Sequence, residues 1–103
     1  TDHFADDVML LEGLAYAYYD KGEYAKAFAY IEKIYAREDV TPQDYIKLLR
    51  ARTHIALGNL DAARTELEYL LPAFTGEEAR VALAQLYTRM DMPDEARKVY
   101  LLL

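Results

Sequence analysis

Side chains capable of acid–base or metal chemistry are few in this sequence, and they lie far apart. The only imidazoles are those of His3 and His54, 51 positions apart (54 − 3), and there is no cysteine. The acidic pairs Asp6-Asp7 and Glu77-Glu78 stand at the starts of predicted helices, where the helix dipole favours negative charge. No phosphate-binding glycine loop or nucleophile elbow occurs. The sequence therefore predicts no enzyme, no cofactor and no metal site.

Tyrosine is the unusual residue in the composition, with ten copies among 103 residues. A tyrosine side chain combines a large apolar area with a polar tip, and it is enriched at protein interfaces. Core packing is a sufficient reason for some of the tyrosines, such as Tyr18, Tyr24 and Tyr87. It is a weaker explanation for Tyr16, Tyr19 and Tyr45. These three tyrosines favour a binding function.

The charge balance is acidic and uneven along the chain. There are 18 acidic and 12 basic side chains, a formal net charge of −6, and residues 1–40 alone hold 9 acidic and 4 basic ones. Nucleic-acid binding needs a stripe of Lys and Arg, so we predict none. No apolar run approaches the roughly 20 residues that span a bilayer, so this segment is expected to make no direct membrane contact. The sequence does not indicate the cellular compartment of the protein.

Apolar residues recur every three to four positions throughout the chain, which predicts helices. Start signals are the Asp6-Asp7 pair and the segments Thr41-Pro42-Gln43-Asp44 and Thr75-Gly76-Glu77-Glu78. Turns are marked near Gly22, Gly58 and Asp91. We predict six helices over about 7–20, 24–37, 42–57, 60–71, 76–90 and 93–103, arranged as three antiparallel hairpins.

One spaced set of residues occurs three times. The copies are Leu14-Ala15-x2-Tyr18, Arg50-Ala51-x2-His54 and Leu83-Ala84-x2-Tyr87, and their alanines are 36 and 33 residues apart (51 − 15 and 84 − 51). A second alanine follows each copy nine residues later, at Ala27, Ala63 and Ala96. Such a period is typical of stacked helix pairs. The alanines are predicted to lie where two helices cross closely, because a larger side chain would hold the axes apart.

These copies resemble the tetratricopeptide repeat, whose pattern is W-x2-L-G-x2-Y followed by A-x3-F. They read Leu11-x2-Leu14-Ala15-x2-Tyr18 with Ala27-x3-Ile31, Lys47-x2-Arg50-Ala51-x2-His54 with Ala63-x3-Leu67, and Arg80-x2-Leu83-Ala84-x2-Tyr87 with Ala96-x3-Tyr100. The resemblance implies an all-α, right-handed superhelical solenoid of three antiparallel helix pairs. We expect a single domain over 1–103, with repeats at about 7–40, 43–75 and 76–103, as a piece of a longer protein.

The second copy departs most from the family pattern. No copy has the tryptophan, and in the second copy Arg50 stands for the leucine and His54 for the aromatic residue. His54 thus falls at a core position of the repeat, and we predict that it packs there with its polar atoms satisfied locally.

The resemblance also implies that the first helix of each pair lines a concave groove. A protein or peptide segment, with some basic character, is expected to bind there; the alternative is that this face is merely solvated. A second function, self-association through the ends of the solenoid and its C-terminal helix, is open because Leu101–Leu103 are apolar and uncapped. The predicted groove residues are Glu12, Tyr16, Tyr19, Asp20, Tyr45, Leu48, Arg52, Ile55, Val81, Gln85, Thr88 and Arg89.

Overall fold

The structure is a computed structural model that describes residues 7–72 and 77–102. Its six helices form where the sequence alternates capping residues with helical apolar spacing. They are α1 (Val8–Lys21), α2 (Tyr24–Tyr35), α3 (Asp44–Ala56), α4 (Leu60–Leu70), α5 (Glu77–Arg89) and α6 (Pro93–Tyr100). Each odd-numbered helix packs most extensively on the helix that follows it, which gives three hairpins stacked in chain order. The all-helical, repeated architecture predicted from the sequence is confirmed for the described residues, and the handedness of its superhelix stays a prediction.

The three hairpins turn in the same way. A backbone N–H two or three residues beyond each helix end donates to a carbonyl five residues earlier: Glu23 to Tyr18, Asn59 to His54 and Met92 to Tyr87, at 2.9, 2.8 and 2.8 Å. This 6→1 bond satisfies carbonyls that the helix end leaves free. The residue before each donor has a left-handed backbone, with φ of 85° at Gly22, 85° at Gly58 and 58° at Asp91.

Two of the predicted helix ends are wrong. The segment Thr41-Pro42 was expected to begin α3, but the first backbone acceptor of that helix is the carbonyl of Gln43, which receives the N–H groups of Ile46 and Lys47 at 3.0 Å each. Gln43 is still extended, with φ −71° and ψ 158°, so α3 begins at Asp44. The start signal at Asp7 is confirmed, because its carboxylate accepts from the Met9 N–H at 2.8 Å.

Helix α6 was expected to reach the end of the chain, but it ends at Tyr100. Leu101 and Leu102 follow in a turn with 79% and 69% of their surface exposed, so no neighbouring helix holds them in a further helical turn. Of the start signal proposed for α5, Thr75 and Gly76 lie outside the described residues, as do His3, Asp6 and Leu103.

The buried side chains form two apolar clusters that meet at α3. The smaller one joins α1 and α2 to Ile46 and Leu49 of α3, and the larger one joins α4, α5 and α6 to Leu48 and Ala51 of the same helix. All six repeated alanines are buried: Ala15, Ala27, Ala51, Ala63 and Ala84 at 0% exposure and Ala96 at 4%. Their predicted position at close helix crossings is thus supported by complete burial.

A polar network fills the junction between the first two hairpins. The Arg50 guanidinium donates to Glu32 at 2.8 Å and to Glu66 at 3.1 Å, and it lies over the ring of Tyr35 at 4.6 Å. The Tyr35 hydroxyl in turn donates to Glu66 at 3.3 Å. Burial raises the pKa of the Glu66 carboxyl, and the charge of Arg50 opposes that shift. The arginine that weakens the family match is therefore the centre of this junction.

His54 is buried beside the same network. Its ring lies 4.9 Å from the ring of Phe28, and its Nδ1 is 3.3 Å from the side-chain amide nitrogen of Asn59. Burial, with the nearby charge of Arg50, lowers the pKa of the His54 imidazole. The predicted packing role of His54 agrees with this placement.

Candidate functional site

The inner face is the surface formed by α1, α3 and α5, the first helices of the three pairs. The backbone of α3 approaches those of both α1 and α5, whereas among the described residues the backbones of the second helices α2, α4 and α6 stay apart, and α2 meets α4 through the Tyr35–Glu66 side-chain bond. The backbones of the first helices are therefore closer together than those of the second helices. Along its longest axis the molecule extends 53 Å, against 26 and 19 Å in the other directions.

Two tyrosines link α1 to α3 on the inner face. Tyr16 and Tyr45 stack with ring centroids 6.4 Å apart, and the Tyr16 hydroxyl donates to the Tyr45 carbonyl at 3.2 Å. The Tyr45 hydroxyl donates to a carboxylate oxygen of Glu12 at 2.7 Å. That bond raises the pKa of the Tyr45 phenol, while burial is the main cause of the raised pKa at Tyr16. Both rings remain more than a third exposed, so they are held in place and still available for contact.

Next to the tyrosines, an open pocket of about 400 Å³ lies between α1, α3 and α5. We call it the inner pocket; it is lined by Tyr19, Arg52, Ile55, Ala82, Gln85 and Arg89. Arg89 is steadied by a bond from its Nη1 to the carbonyl of Ile55 at 3.1 Å. Two guanidinium groups border the pocket and no carboxylate does, so its local charge is positive although the chain is acidic overall.

A difference in side-chain size between repeats accompanies the open inner pocket. Ala82 of α5 is the counterpart of Leu49 of α3 (82 − 49 = 33). Leu49 lines a cavity of only about 80 Å³ beside Tyr16 and Tyr45. Ala82, which has only a methyl group, lines the inner pocket of about 400 Å³. Arg52 borders both spaces and so lies at the centre of the inner face.

The other predicted groove residues are placed unevenly. Asp20 is exposed at the end of α1, and its charge, like that of Glu12, acts on the Tyr16 phenol. Thr88 is exposed but turns its hydroxyl back to the Ala84 carbonyl at 3.0 Å. Val81 is half-buried and borders neither space. Leu48 is only 4% exposed, because it packs in the larger apolar cluster, so it can offer little surface to a partner.

Two residues of the inner face were missing from the predicted set of partner contacts. Glu78 borders the cavity beside Tyr16 and Tyr45, and Ala82 lines the inner pocket. The repeat itself carried the signal for Glu78, because shifting Tyr45 by the period of 33 gives 78. The only signal for Ala82 is its small side chain, compared with Leu49 at the equivalent position of the preceding repeat.

The described part of the chain contains neither a metal-binding cluster nor a membrane-spanning helix. No group of three or more His, Cys, Asp or Glu side chains within 7–72 and 77–102 is arranged to hold a metal ion. None of the helices described here has both the length and the apolar character needed to cross a bilayer.

The comparisons with known proteins agree with the helical repeat. Searches of curated proteins and of solved structures give no match. Residues 46–68, from within α3 to within α4, match the family model of the tetratricopeptide repeat, and they include the Arg50–His54 copy that departs most from the pattern. Such scaffolds are generally non-enzymatic and mediate protein–protein interactions. The match covers less than half of the chain, and the three stacked helix pairs around the matched segment are consistent with tetratricopeptide-like repeats.

Proposed function

We propose that this protein is an interaction scaffold that binds a peptide or helical segment of a partner protein on its inner face. The observation that carries the proposal is the juxtaposition of the inner pocket with the Tyr16–Tyr45 pair, joined by Arg52. Aromatic rings and arginine are the side chains that most often dominate binding energy at protein interfaces. Pockets that combine apolar walls with a few polar groups are the usual form of a binding site.

The charges of the inner face favour a partner segment with both signs of charge. Glu12 and Asp20 act on the Tyr16 end, where a basic residue of the partner would be attracted. Arg52 and Arg89 border the inner pocket, where an acidic residue would be attracted. The sequence led us to expect a partner segment with basic character; we now propose a segment with a basic end and an acidic end.

A selection from a displayed library of random peptides of about 15 residues, roughly four helical turns, tests the proposal. Each selected peptide is measured against two variants, Arg52→Ala, which removes the central cation, and Gln85→Trp, which fills the inner pocket from an exposed position. Arg97→Ala is the matched control, since Arg97 is an exposed arginine of α6 that borders no part of the inner face.

Both inner-face variants are expected to weaken binding about tenfold or more, in the range of an interface hot spot, and the control is expected to leave it unchanged. Circular dichroism and the melting midpoint establish that each variant is folded. Peptides that bind the two inner-face variants as tightly as the parent protein, or a selection that yields none, would show that the inner face is not the site.

Self-association through the ends is the second candidate, favoured by the exposure of Leu101 and Leu102. Apolar surface of several hundred Å² seldom stays uncovered on a monomer. If the ends associate, light scattering over about a hundredfold dilution will show a mass that rises with concentration. A strict monomer at every concentration excludes this candidate and leaves the inner-face proposal intact.

A further inference from the structure

An apolar groove of about 510 Å³ lies over α5 on the opposite side from the inner pocket, between the second helices α4 and α6. We call it the outer groove. Its walls are mostly aliphatic, and Arg80, Glu68 and Tyr87 are its polar members; the lining residues are Glu68, Leu71, Pro72, Arg80, Leu83, Tyr87, Val99 and Leu102. The inner-face proposal does not use this surface, and the self-association candidate shares with it only Leu102.

The repeat supplies an internal comparison, because the same positions one repeat earlier lie over α3. Leu83 corresponds to Arg50 and Val99 to Glu66, each by a shift of 33 (83 − 50 and 99 − 66). Leu71 corresponds to Tyr35 by a shift of 36 (71 − 35). The outer groove is therefore the second member of a pair of equivalent sites.

The first member of the pair is filled from within the chain. There the Arg50 guanidinium lies over the Tyr35 ring and donates to Glu32 and Glu66. In the second member, leucine and valine stand in place of the arginine, the tyrosine and one of the glutamates, so the network has no counterpart. The site over α3 is therefore filled by the Arg50 network, whereas the equivalent site over α5 is an open apolar groove.

One charge on the outer groove lacks an ionic partner among the described residues. Arg80 is half-buried at the wall and forms no ion pair there, whereas Glu68 already accepts from Arg64 and from the Tyr87 hydroxyl. Lys47, which corresponds to Arg80 one repeat earlier (80 − 47 = 33), is 3.9 Å from Asp44. A carboxylate of a bound partner could form an ion pair with the Arg80 guanidinium.

We propose that the outer groove is a second docking site, which binds an amphipathic helix of a partner protein that carries an acidic residue beside its apolar face. The groove runs between two helices and above a third, which is the shape that receives a helix. The apolar side chains of the ligand would contact Leu71, Leu83 and Val99, and its carboxylate would pair with Arg80. The proposal does not depend on binding at the inner face.

A second copy of this chain fits the outer groove less well than such a partner. The exposed leucines that a second copy could insert are Leu101 and Leu102, at the end of α6. Arg97 and Lys98 come just before them, so insertion would bring further positive charge toward Arg80. The net charge of −6 on each copy also opposes association at low salt.

The test is a peptide selection on a protein whose inner face is disabled by Arg52→Ala and Gln85→Trp, so that inner-face ligands are not recovered. The probe is a displayed library of helix-forming peptides of about 15 residues. Affinities are then compared for Leu102→Glu, which places a charge in the groove, and for Leu101→Glu as its control. Leu101 is the neighbouring exposed leucine, and it does not line the groove.

Arg80→Glu supplies an independent readout through charge exchange, with Arg97→Glu as the control for a general change of surface charge. We expect Leu102→Glu and Arg80→Glu to weaken the selected peptides about tenfold or more, and the controls to change affinity by less than about twofold. Replacing the acidic residue of the peptide by lysine is expected to restore binding to Arg80→Glu only, because the sign of both partners is then reversed.

The proposal stands if Leu102 and Leu101 behave differently and if the charge exchange restores binding. Any other pattern overturns it, including a selection that yields no peptide. A concentration-dependent dimer that Leu102→Glu dissociates and Leu101→Glu does not would also overturn it, since the occupant would then be a second copy.

Discussion

The network around Arg50 yields the sharpest test of the packing argument, because the third repeat shows what an apolar version looks like. Replacing Arg50 by leucine, its counterpart at Leu83, removes the cation that pairs with Glu66 and lies over Tyr35. The carboxylate of Glu66 then stays largely buried with only the Tyr35 hydroxyl as a partner. We expect Arg50→Leu to lower the free energy of unfolding.

The magnitude follows from the exposure of the pair. Removing one member of a fully buried ion pair costs about 3–5 kcal/mol. The side chains of Arg50 and Glu66 are 25% and 15% exposed, so water screens part of that loss. We expect a loss of about 2 kcal/mol, to which the lost contact with the Tyr35 ring adds about 0.5–1 kcal/mol. The double variant Arg50→Leu/Glu66→Val, which copies Leu83 and Val99, is expected to lie within about 1 kcal/mol of the parent protein.

The assay is urea unfolding of the parent, the two single variants and the double variant at about pH 7 and pH 5, analysed as a double-mutant cycle. Burial already raises the pKa of Glu66 above 4.5, and removal of Arg50 raises it further. The folded Arg50→Leu variant therefore binds a proton at Glu66 more readily than the unfolded chain does, so its stability falls as the pH rises through that range. The deficit of Arg50→Leu is expected to be smaller at pH 5 than at pH 7.

Two results would refute this reasoning. One is a loss below about 0.5 kcal/mol at pH 7 for Arg50→Leu, the level of an ordinary surface substitution. The other is additivity of the two single variants, since independent sites add and coupled ones do not. Either would mean that the junction between the first two hairpins is held by its apolar contacts alone.

Three further outcomes are expected. Ala27→Leu should lower the urea midpoint, with a loss of about 1–3 kcal/mol, because Ala27 is 0% exposed at a close crossing; an unchanged midpoint would contradict that crossing. Asp91→Gly should raise the melting midpoint, with a gain of about 1 kcal/mol, because φ is 58° at Asp91 and glycine adopts this conformation without strain; a lower midpoint would mean that its side chain has a stabilising role. His54→Gln should reduce the loss of stability on acidification below about pH 6.5. The lowered pKa of His54 means that the unfolded chain takes up the proton first as the pH falls. If the stability of His54→Gln depends on pH as that of the parent protein does, this prediction is wrong. His3→Gln is the control.

The repeat made the helices and their pairing predictable, because both rest on local spacing. The turn positions Gly22, Gly58 and Asp91 and the buried alanines recur at intervals of 36 and 33 residues, so an error at one copy is corrected by the other two. The start of α3 was misplaced because Thr41 and Pro42 are favourable at a helix start, yet the first helical acceptor is the carbonyl of Gln43. Local propensity at a helix end is weaker than the requirement to bury Ile46 in register.

Contacts between repeats were harder to derive. The glutamates that pair with Arg50 lie 18 and 16 residues away from it, and nothing in the local pattern singles them out. Leu48 was placed on the partner-binding face by its position in the repeat, but it turns into the larger cluster. The inner pocket is lined by Ala82, whose small side chain is informative only once the packing neighbours are known. The periodicity of one sequence predicts which side chains share a helix face. The exposed fraction of that face depends on the helices packed against it.

The division of the apolar residues into two clusters has a mechanical consequence. Helix α3 is buried on both sides, whereas α1 and α2 are joined to the remaining helices through Ile46, Leu49, the Tyr16–Tyr45 pair and the network at Arg50. Under tension applied between the two termini, this junction is expected to open before the larger cluster, because the smaller cluster holds it. Peeling of the first hairpin would leave the other four helices with their own cluster complete. The chain would therefore lengthen in two separate extensions under load, and a partner bound across α1 and α3 would be released by the first of them.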